Sequence, residues 1–325
     1  MSVAQPADLP PALLIAGPTA SGKSALALAL AERFGGTVIN ADSMQVYREL
    51  RVLTARPTPA EEARARHALY GVRPAAEAGT VAWWRGAALA EMAKARLPIL
   101  CGGTGMYFSS LTQGLASIPA VPPWAREEAR ARLAAEGPAA LHAALDALDG
   151  ETAATLRPSD SQRIARAYEV VRGTGQGLSY WLRACLKAGG AGPAPYRFAG
   201  IWLDPPREAL RTAITARWAA MIEGGAIEEV RALSAQALDP ALPAMRAHGV
   251  PELLAFLEGR MTLAAASARA ILNTGQYTKR QATWFRHHAL AEAPRTQRFG
   301  ARYQSSTQDS ESLFDYCAAF FDNPR

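Results

Sequence analysis

The sequence predicts an α/β protein built on a parallel sheet of the phosphate-loop type, with an all-helical domain inserted into it. Three observations carry that expectation. First, the apolar run at residues 12–16 leads into Gly17-Pro18-Thr19-Ala20-Ser21-Gly22-Lys23-Ser24, which fits G-x-x-x-x-G-K-[ST] at every fixed position, and strong helix formers follow over residues 25–33. Second, short runs bounded by glycine or proline recur at 37–41, 98–101 and 198–203 and read as further buried strands. Third, residues 115–187 contain helical patterns and no strand-like run, between the breaker Ile118-Pro119-Ala120-Val121-Pro122-Pro123 and the linker Gly189-Gly190-Ala191-Gly192-Pro193. The expected organisation is a first part of the core at 1–115, a helical insertion at 116–192, a second part of the core at 193–290, and a polar tail at 291–325 ending in a short amphipathic helix.

Gly17 and Gly22 let the backbone turn tightly and bring successive N–H groups onto one small anion. The N-terminus of the following helix adds its partial positive charge. Lys23 would reach terminal phosphate oxygens, and Ser24 would offer its hydroxyl to a Mg²⁺ that bridges them. The loop leaves open which diphosphate or triphosphate is held.

With 325 residues, 49% hydrophobic and 20% charged, the chain can bury a full core plus a smaller unit. No window is apolar enough to cross a bilayer, and the N-terminus lacks a basic stretch followed by an apolar one, so a cytoplasmic protein without membrane contact is expected. The three cysteines, Cys101, Cys185 and Cys317, form no C-x-x-C pair, which argues against a disulfide framework or a zinc site. A net charge of +6 leans toward a polyanionic partner.

Asp42 stands just past the second strand. In open α/β sheets ligands lie beyond the carboxyl ends of strands, so Asp42 and the phosphate loop should share a crevice. Its carboxylate could hold magnesium, accept a proton from a nucleophile, or cap the next turn. Residues 60–68 read as an arginine-rich helix with a solvated face. Trp83 and Trp84 could stack on a base or serve packing. Gly102-Gly103-Thr104-Gly105 after the third strand implies close backbone approach to a ligand or a neighbouring element, and puts Thr104 in the same crevice. In the insertion, Arg163 and Arg166 share a helix face with Gln162, which could grip phosphates or pair with Glu169. Near the end of the core, Lys279-Arg280-Gln281-Ala282-Thr283-Trp284-Phe285-Arg286 interleaves cations with aromatic rings, as a nucleic-acid groove would require.

Four segments together resemble one family, the tRNA dimethylallyltransferases (tRNA isopentenyltransferases). They are the phosphate loop, Ala41-Asp42-Ser43-Met44-Gln45-Val46-Tyr47, Gly102-Gly103-Thr104-Gly105-Met106-Tyr107, and the segment from Lys279 to Arg286. The resemblance implies that the loop holds the pyrophosphate of dimethylallyl diphosphate together with Mg²⁺. Thr19, Lys23 and Ser24 match diphosphate contacts, and Arg217 matches an arginine on the leaving pyrophosphate. Asp42 matches the general base, facing the exocyclic N6 of the adenosine 3′ of the anticodon. Asp42, Ser43, Met44 and Gln45 would line the path of the adenine. Thr104, Arg130, Gln162, Arg163, Ile164, Ala165, Arg166, Lys279 and Arg280 correspond to contacts with the tRNA anticodon stem-loop, in a protein expected to act as a monomer. The sequence departs from the family pattern in Arg246-Ala247-His248-Gly249-Val250 and at Gly275. Alternatives are a small phosphate-loop kinase, an adenylate isopentenyltransferase acting on free nucleotide, and a non-catalytic nucleic-acid-binding protein with a relic loop.

Overall fold

The computed structural model describes residues 9–187, 192–292, 294–304 and 309–322. The chain divides into two compact units, one made of the chain up to Thr112 and from Ala194 onward, the other of Gln113–Pro193. Part of the glycine-rich linker, residues 189–191, lies outside the described residues.

The first unit is built on a parallel sheet. Strands β1 (Pro11–Ala16), β2 (Thr37–Asn40), β3 (His67–Ala68), β4 (Pro98–Gly102), β5 (Arg197–Leu203) and β6 (Thr296–Phe299) stand in the order β3-β2-β4-β1-β5-β6. All five pairings are parallel. Strand β5 is buried along its whole length and β1 from its second residue on, as central strands covered on both faces must be. Two of the six strands are additions to the sequence reading. Residues 60–68, read as one helix, form the short helix α2 (Pro59–Arg64) and then β3, with Thr58 capping the helix in a reciprocal box with Glu61.

The segment read as a polar tail is the second addition. It supplies β6, registered against Gly200–Leu203 of β5. Numbering the remaining helices in chain order, α1 is Lys23–Phe34, α3 Val81–Met92, α4 Gly105–Thr112, α5 Pro123–Ala154, α6 Ser161–Thr174, α7 Leu178–Lys187, α8 Arg207–Glu223, α9 Ala226–Ser234, α10 Val250–Leu257, α11 Leu263–His287 and α12 Asp309–Asp322. Leu313, Cys317 and Phe320 of α12 share an apolar layer with Leu26 and Leu30 of α1 and with Leu13 and Ile15 of β1. Arg197 in β5 fixes this helix from below: its guanidinium donates to the Phe320 carbonyl at 2.9 Å and lies 4.2 Å from the Phe320 ring.

The second layer, on the opposite side of the sheet, holds Leu14, Ile39, Leu100, Trp84, Tyr107 and Phe285. Trp84 settles the choice between stacking on a base and packing: it is fully buried, stacks on Tyr107 at 4.1 Å and donates Nε1–H to the Asn40 carbonyl at 2.8 Å. Cys101 and Cys317 are buried free thiols, and burial pushes both up to about 12.

The helical unit has its own core, with Leu141, Leu145, Ile164 and Tyr168 at its centre. Helix α5 is broken at Gly137, which takes φ 81° ahead of Pro138, and again at Asp149. Burial pushes the Asp149 carboxyl up, but hydroxyls of Thr152 (2.5 Å) and Ser179 (2.7 Å) outweigh it and leave the group below its usual range. That carboxylate ties the second break of α5 to the start of α7.

Candidate active site

The phosphate loop turns between β1 and α1 under tight steric limits. A Cβ at Gly17 would stand 2.9 Å from the Leu203 carbonyl oxygen, and Gly22 takes φ 91°. Ala20 also sits in the left-handed region, at φ 68°, a conformation that costs a non-glycine residue about 1 kcal/mol or more. Lys23 is buried at the first turn of α1, with Nζ 3.3 Å from the Pro18 carbonyl. Burial pulls its ammonium below the usual range, the Asp42 carboxylate works against that, and the Arg217 guanidinium adds to it.

Because β4 lies between β2 and β1, the ends of β2 and β1 face each other across the turn that leaves β4. That turn is crowded: a Cβ at Gly102 would lie 2.0 Å from the Ala41 carbonyl oxygen. Thr104 accordingly serves as a strut. Its N–H donates to the Ala41 carbonyl at 3.2 Å, and its Oγ1 accepts the Ser43 N–H at 2.9 Å. Asn40 completes the frame, accepting the Asp42 N–H at 2.8 Å and donating to the Asp42 carbonyl at 2.9 Å.

Within this frame Asp42 Oδ1 accepts the Met44 N–H at 2.9 Å, so the carboxylate does cap the following turn. Among the described residues no hydrogen bond engages Oδ2. Capping and chemistry are therefore compatible, one oxygen for each. Burial lowers the pKa of the Arg217 guanidinium, and the Asp42 carboxylate works against that. Arg217 Nη2 donates to the Thr54 carbonyl at 3.2 Å, and Gln45 Nε2 donates to the same carbonyl at 2.9 Å. The loop carrying Thr54 is itself pinned by Glu229, whose carboxylate accepts the N–H groups of Arg51, Val52 and Leu53 at 2.6, 2.7 and 2.9 Å.

Thr19, Lys23, Ser24, Asp42, Gln45 and Arg217 all open onto one cleft, a space of about 820 Å³ with its solvent-open part included. Two cations and one carboxylate thus face a single space, with an apolar wall of Leu53, Ile214, Trp218 and Met221 beside them. The sequence reading did not assign that wall, nor His248 and Tyr277, whose rings lie 4.8 Å apart at its edge. The signal was present in helical spacing. Ile214, Arg217, Trp218 and Met221 recur at three- and four-residue steps on α8, and Ile271, Thr274 and Tyr277 do so on α11.

Helix α11 decides between packing and stacking for the rings of its basic and aromatic segment. Phe285 is buried edge-on against Phe108, and Trp284 lies against Gly105, where a Cβ would come 2.2 Å from the indole. Both rings are used in packing, Trp284 also stacking on His288 at 4.2 Å, and the cations Lys279, Arg280 and Arg286 are exposed. Between them Gln281 is buried and bridges two parts of the site, accepting the Thr19 N–H at 2.9 Å and donating to the Gly103 carbonyl at 3.0 Å. Gly105→Ala should consequently cost about 1–3 kcal/mol by overpacking Trp284, read as a lower melting temperature of the purified protein.

The helical unit carries the remaining sequence-assigned positions. Arg130, Gln162, Arg163 and Arg166 are exposed. Arg166 pairs with Glu169 at 2.5 Å and Arg163 lies 3.5 Å from Asp160, both at exposed sites where such pairs hold weakly. Ile164 is a correction: it is fully buried in the core of the helical unit, so its side chain offers RNA no contact, while Ala165 is half-buried against the same core.

Among the described residues no group of three or more His, Cys, Asp or Glu could cage a metal, and no helix is long and apolar enough to cross a membrane. The donor set at the loop, a Ser24 hydroxyl beside a lone carboxylate, suits instead a hard cation that takes most of its ligands from phosphate and water.

Comparison with known proteins gives the family of the chain. The family model described as IPP transferase matches residues 45–288, and one described as isopentenyl transferase matches residues 11–78. The chain is 62% identical over 302 residues to a tRNA dimethylallyltransferase of Acidiphilium cryptum, covering 93% of this chain and 92% of that one. It is 56% identical over 314 residues to one of Gluconacetobacter diazotrophicus, covering 95% and 93%. Among solved structures, the tRNA isopentenylpyrophosphate transferase of Bacillus halodurans is similar with a TM-score of 0.66 at 28% identity, over 96% of this chain and 97% of that one. A eukaryotic dimethylallyltransferase crystallised acting on tRNA shares the fold, with a TM-score of 0.79 at 23% identity, over 97% and 80%.

Proposed function

This chain belongs to the IPP transferase family, the tRNA dimethylallyltransferases, and from that premise we propose that it moves the five-carbon group of dimethylallyl diphosphate onto N6 of the adenosine 3′ of the anticodon. It is a prenyltransferase acting on tRNA. The observation that carries the detailed reading is the single cleft in which Lys23 and Arg217 stand with Asp42 beside an apolar wall.

An exocyclic purine amine is a weak nucleophile, because its lone pair is delocalised into the ring. As N6 forms its bond to C1 of the prenyl group, the C1–O bond to the diphosphate breaks and one N6 proton passes to Asp42 Oδ2. The Lys23 ammonium and Arg217 guanidinium take up the charge that develops on the departing diphosphate, and the buried setting of both strengthens the effect. Ser24 and the diphosphate would together hold a Mg²⁺, which when bound supplies further neutralisation of the leaving oxygens. Leu53, Ile214, Trp218 and Met221 offer a dry surface for the prenyl chain, keeping water from the allylic carbon. Met44 and Gln45 line the same cleft beside Asp42, suiting a purine turned out of its stack.

Exposed cations on α5, α6 and α11 support tRNA binding, with Arg130, Arg163 and Arg166 on the first two and Lys279 and Arg280 on the last. Arg163→Ala should weaken tRNA binding modestly and lower the salt slope of log Kd by about one phosphate contact, measured by filter binding across a salt series. Buried free thiols and the lack of a membrane-spanning helix among the described residues suit a cytoplasmic enzyme, which we take to be a monomer.

The test is to offer labelled dimethylallyl diphosphate with unmodified tRNA, and in parallel γ-labelled ATP with the same tRNA. Label should enter tRNA from the diphosphate alone and map to N6 of the adenosine next to the anticodon. Transfer of label from ATP would support a kinase instead.

A further inference from the structure

The phosphate loop is held on one side by Gln281 and on another by a segment far away in sequence. The Tyr303 N–H donates to the Ser21 carbonyl at 3.0 Å, and Arg302 Nε donates to the Ala20 carbonyl at 2.9 Å. These are consecutive carbonyls of the loop, and the first belongs to the one alanine in it that sits at positive φ. Contact is close: a Cβ at Gly22 would stand 2.3 Å from the Tyr303 carbonyl oxygen, and Tyr303 is 3% exposed. Residues 302 and 303 follow β6 and lie beyond the stretch that the IPP transferase model matches.

We propose that Arg302 and the Tyr303 backbone are positioning groups for the diphosphate-binding loop. In a trans peptide the carbonyl and the N–H lie in one plane and point in opposite directions. Holding the Ser21 carbonyl on the Tyr303 side turns the Gly22 N–H away from it, and holding the Ala20 carbonyl keeps Ala20 in its strained conformation. The strap therefore sets the loop in its anion-binding shape before any ligand arrives, so ordering cost is removed from diphosphate binding. Arg302 does not line the cleft, and its guanidinium reaches the loop through the Ala20 carbonyl.

This inference rests on the reading of the loop as the diphosphate site. It is tested with the full chain carrying Arg302→Met, which keeps the stem and removes the donor, and with Arg302→Lys, which can return one charged donor. Pyrophosphate binding is read by calorimetry with Mg²⁺ present, tRNA binding by mobility shift, and folding by thermal melting. Arg302→Met should weaken pyrophosphate binding about five- to tenfold, the loss of one charge-assisted hydrogen bond, and raise the KM for dimethylallyl diphosphate in parallel. tRNA affinity should stay as in the wild type, and Arg302→Lys should recover most of the loss. Equal pyrophosphate affinity in the wild type and in folded Arg302→Met overturns the positioning role and leaves the site reading intact. Equal loss in pyrophosphate and tRNA affinity also overturns it, since that marks general destabilisation. A wild-type protein that binds no pyrophosphate overturns both.

Discussion

Asp42→Asn should lower the turnover of prenyl transfer by about 10²–10⁴, while tRNA and dimethylallyl diphosphate bind almost as before. The structure makes this substitution a clean one. Asn keeps an oxygen that can accept the Met44 N–H now held at 2.9 Å, so the turn after β2 persists. The bonds from Asn40 to the backbone of residue 42 do not involve its side chain and persist as well. What is lost is the anionic oxygen that takes the N6 proton, and with it the negative charge that Lys23 and Arg217 feel across the cleft. Single-turnover rates with prebound substrates would read the loss, and mobility shift would confirm binding. Turnover equal to the wild type would remove Asp42 from the chemistry and leave it the capping role alone.

Lys23→Ala should cost about 10²–10³ in kcat/KM for dimethylallyl diphosphate, with weaker pyrophosphate inhibition and little change in tRNA affinity. Lys23 is buried at the head of α1, so its ammonium meets the diphosphate in a setting where water screens it poorly. Its Nζ hydrogen bond to Pro18 keeps the chain folded back over the loop. Removing the side chain deletes the cation and opens a gap beside Asp42, whose remaining cationic neighbour in the cleft is Arg217. Initial-rate kinetics with the donor varied, and pyrophosphate as product inhibitor, would measure both changes. Normal donor KM and kcat together would exclude the loop from diphosphate binding.

The chemistry-bearing parts of the fold were the most legible in the sequence. The phosphate loop has fixed residues at fixed spacing, because backbone amides must converge on one anion, and such constraints leave a pattern that needs no tertiary context. Asp42 and the phosphate loop were placed in one crevice for a similar reason: both follow buried strands, and strand ends in a parallel sheet open on the same side, whereas Thr104 braces the backbone beside Asp42 and does not line the cleft. The sheet's edges were harder to see. His67–Ala68 is too short to alternate visibly and follows directly on Arg64 and Arg66, which read as helix. Thr296–Phe299 is partly exposed at the sheet edge and shows the apolar run of a central strand nowhere.

The segment around Trp284 misleads for a different reason. Composition cannot say whether a ring faces RNA or Gly105; that depends on which way α11 is rotated, and its rotation is set by Gln281 and Phe285 docking on elements far away in sequence. Glu229 is another such case. An acidic residue in a surface-like helix gave no hint that its carboxylate would gather three backbone N–H groups of a loop more than 170 residues earlier.

The late position of β6 and of residues 302 and 303 bears on how the chain is made. Strand β1 and the loop after it are translated before the rest of the sheet, yet Ala20 waits for a donor 282 residues downstream. Parallel neighbours β4 and β5 are likewise distant from β1 in sequence, so the centre of the sheet closes only through non-local pairings. The first strand of the sheet to be translated thus leads into a loop that completes its hydrogen bonds only with residues 302 and 303, and a nascent chain stalled before β6 would carry every residue lining the cleft without the support behind it.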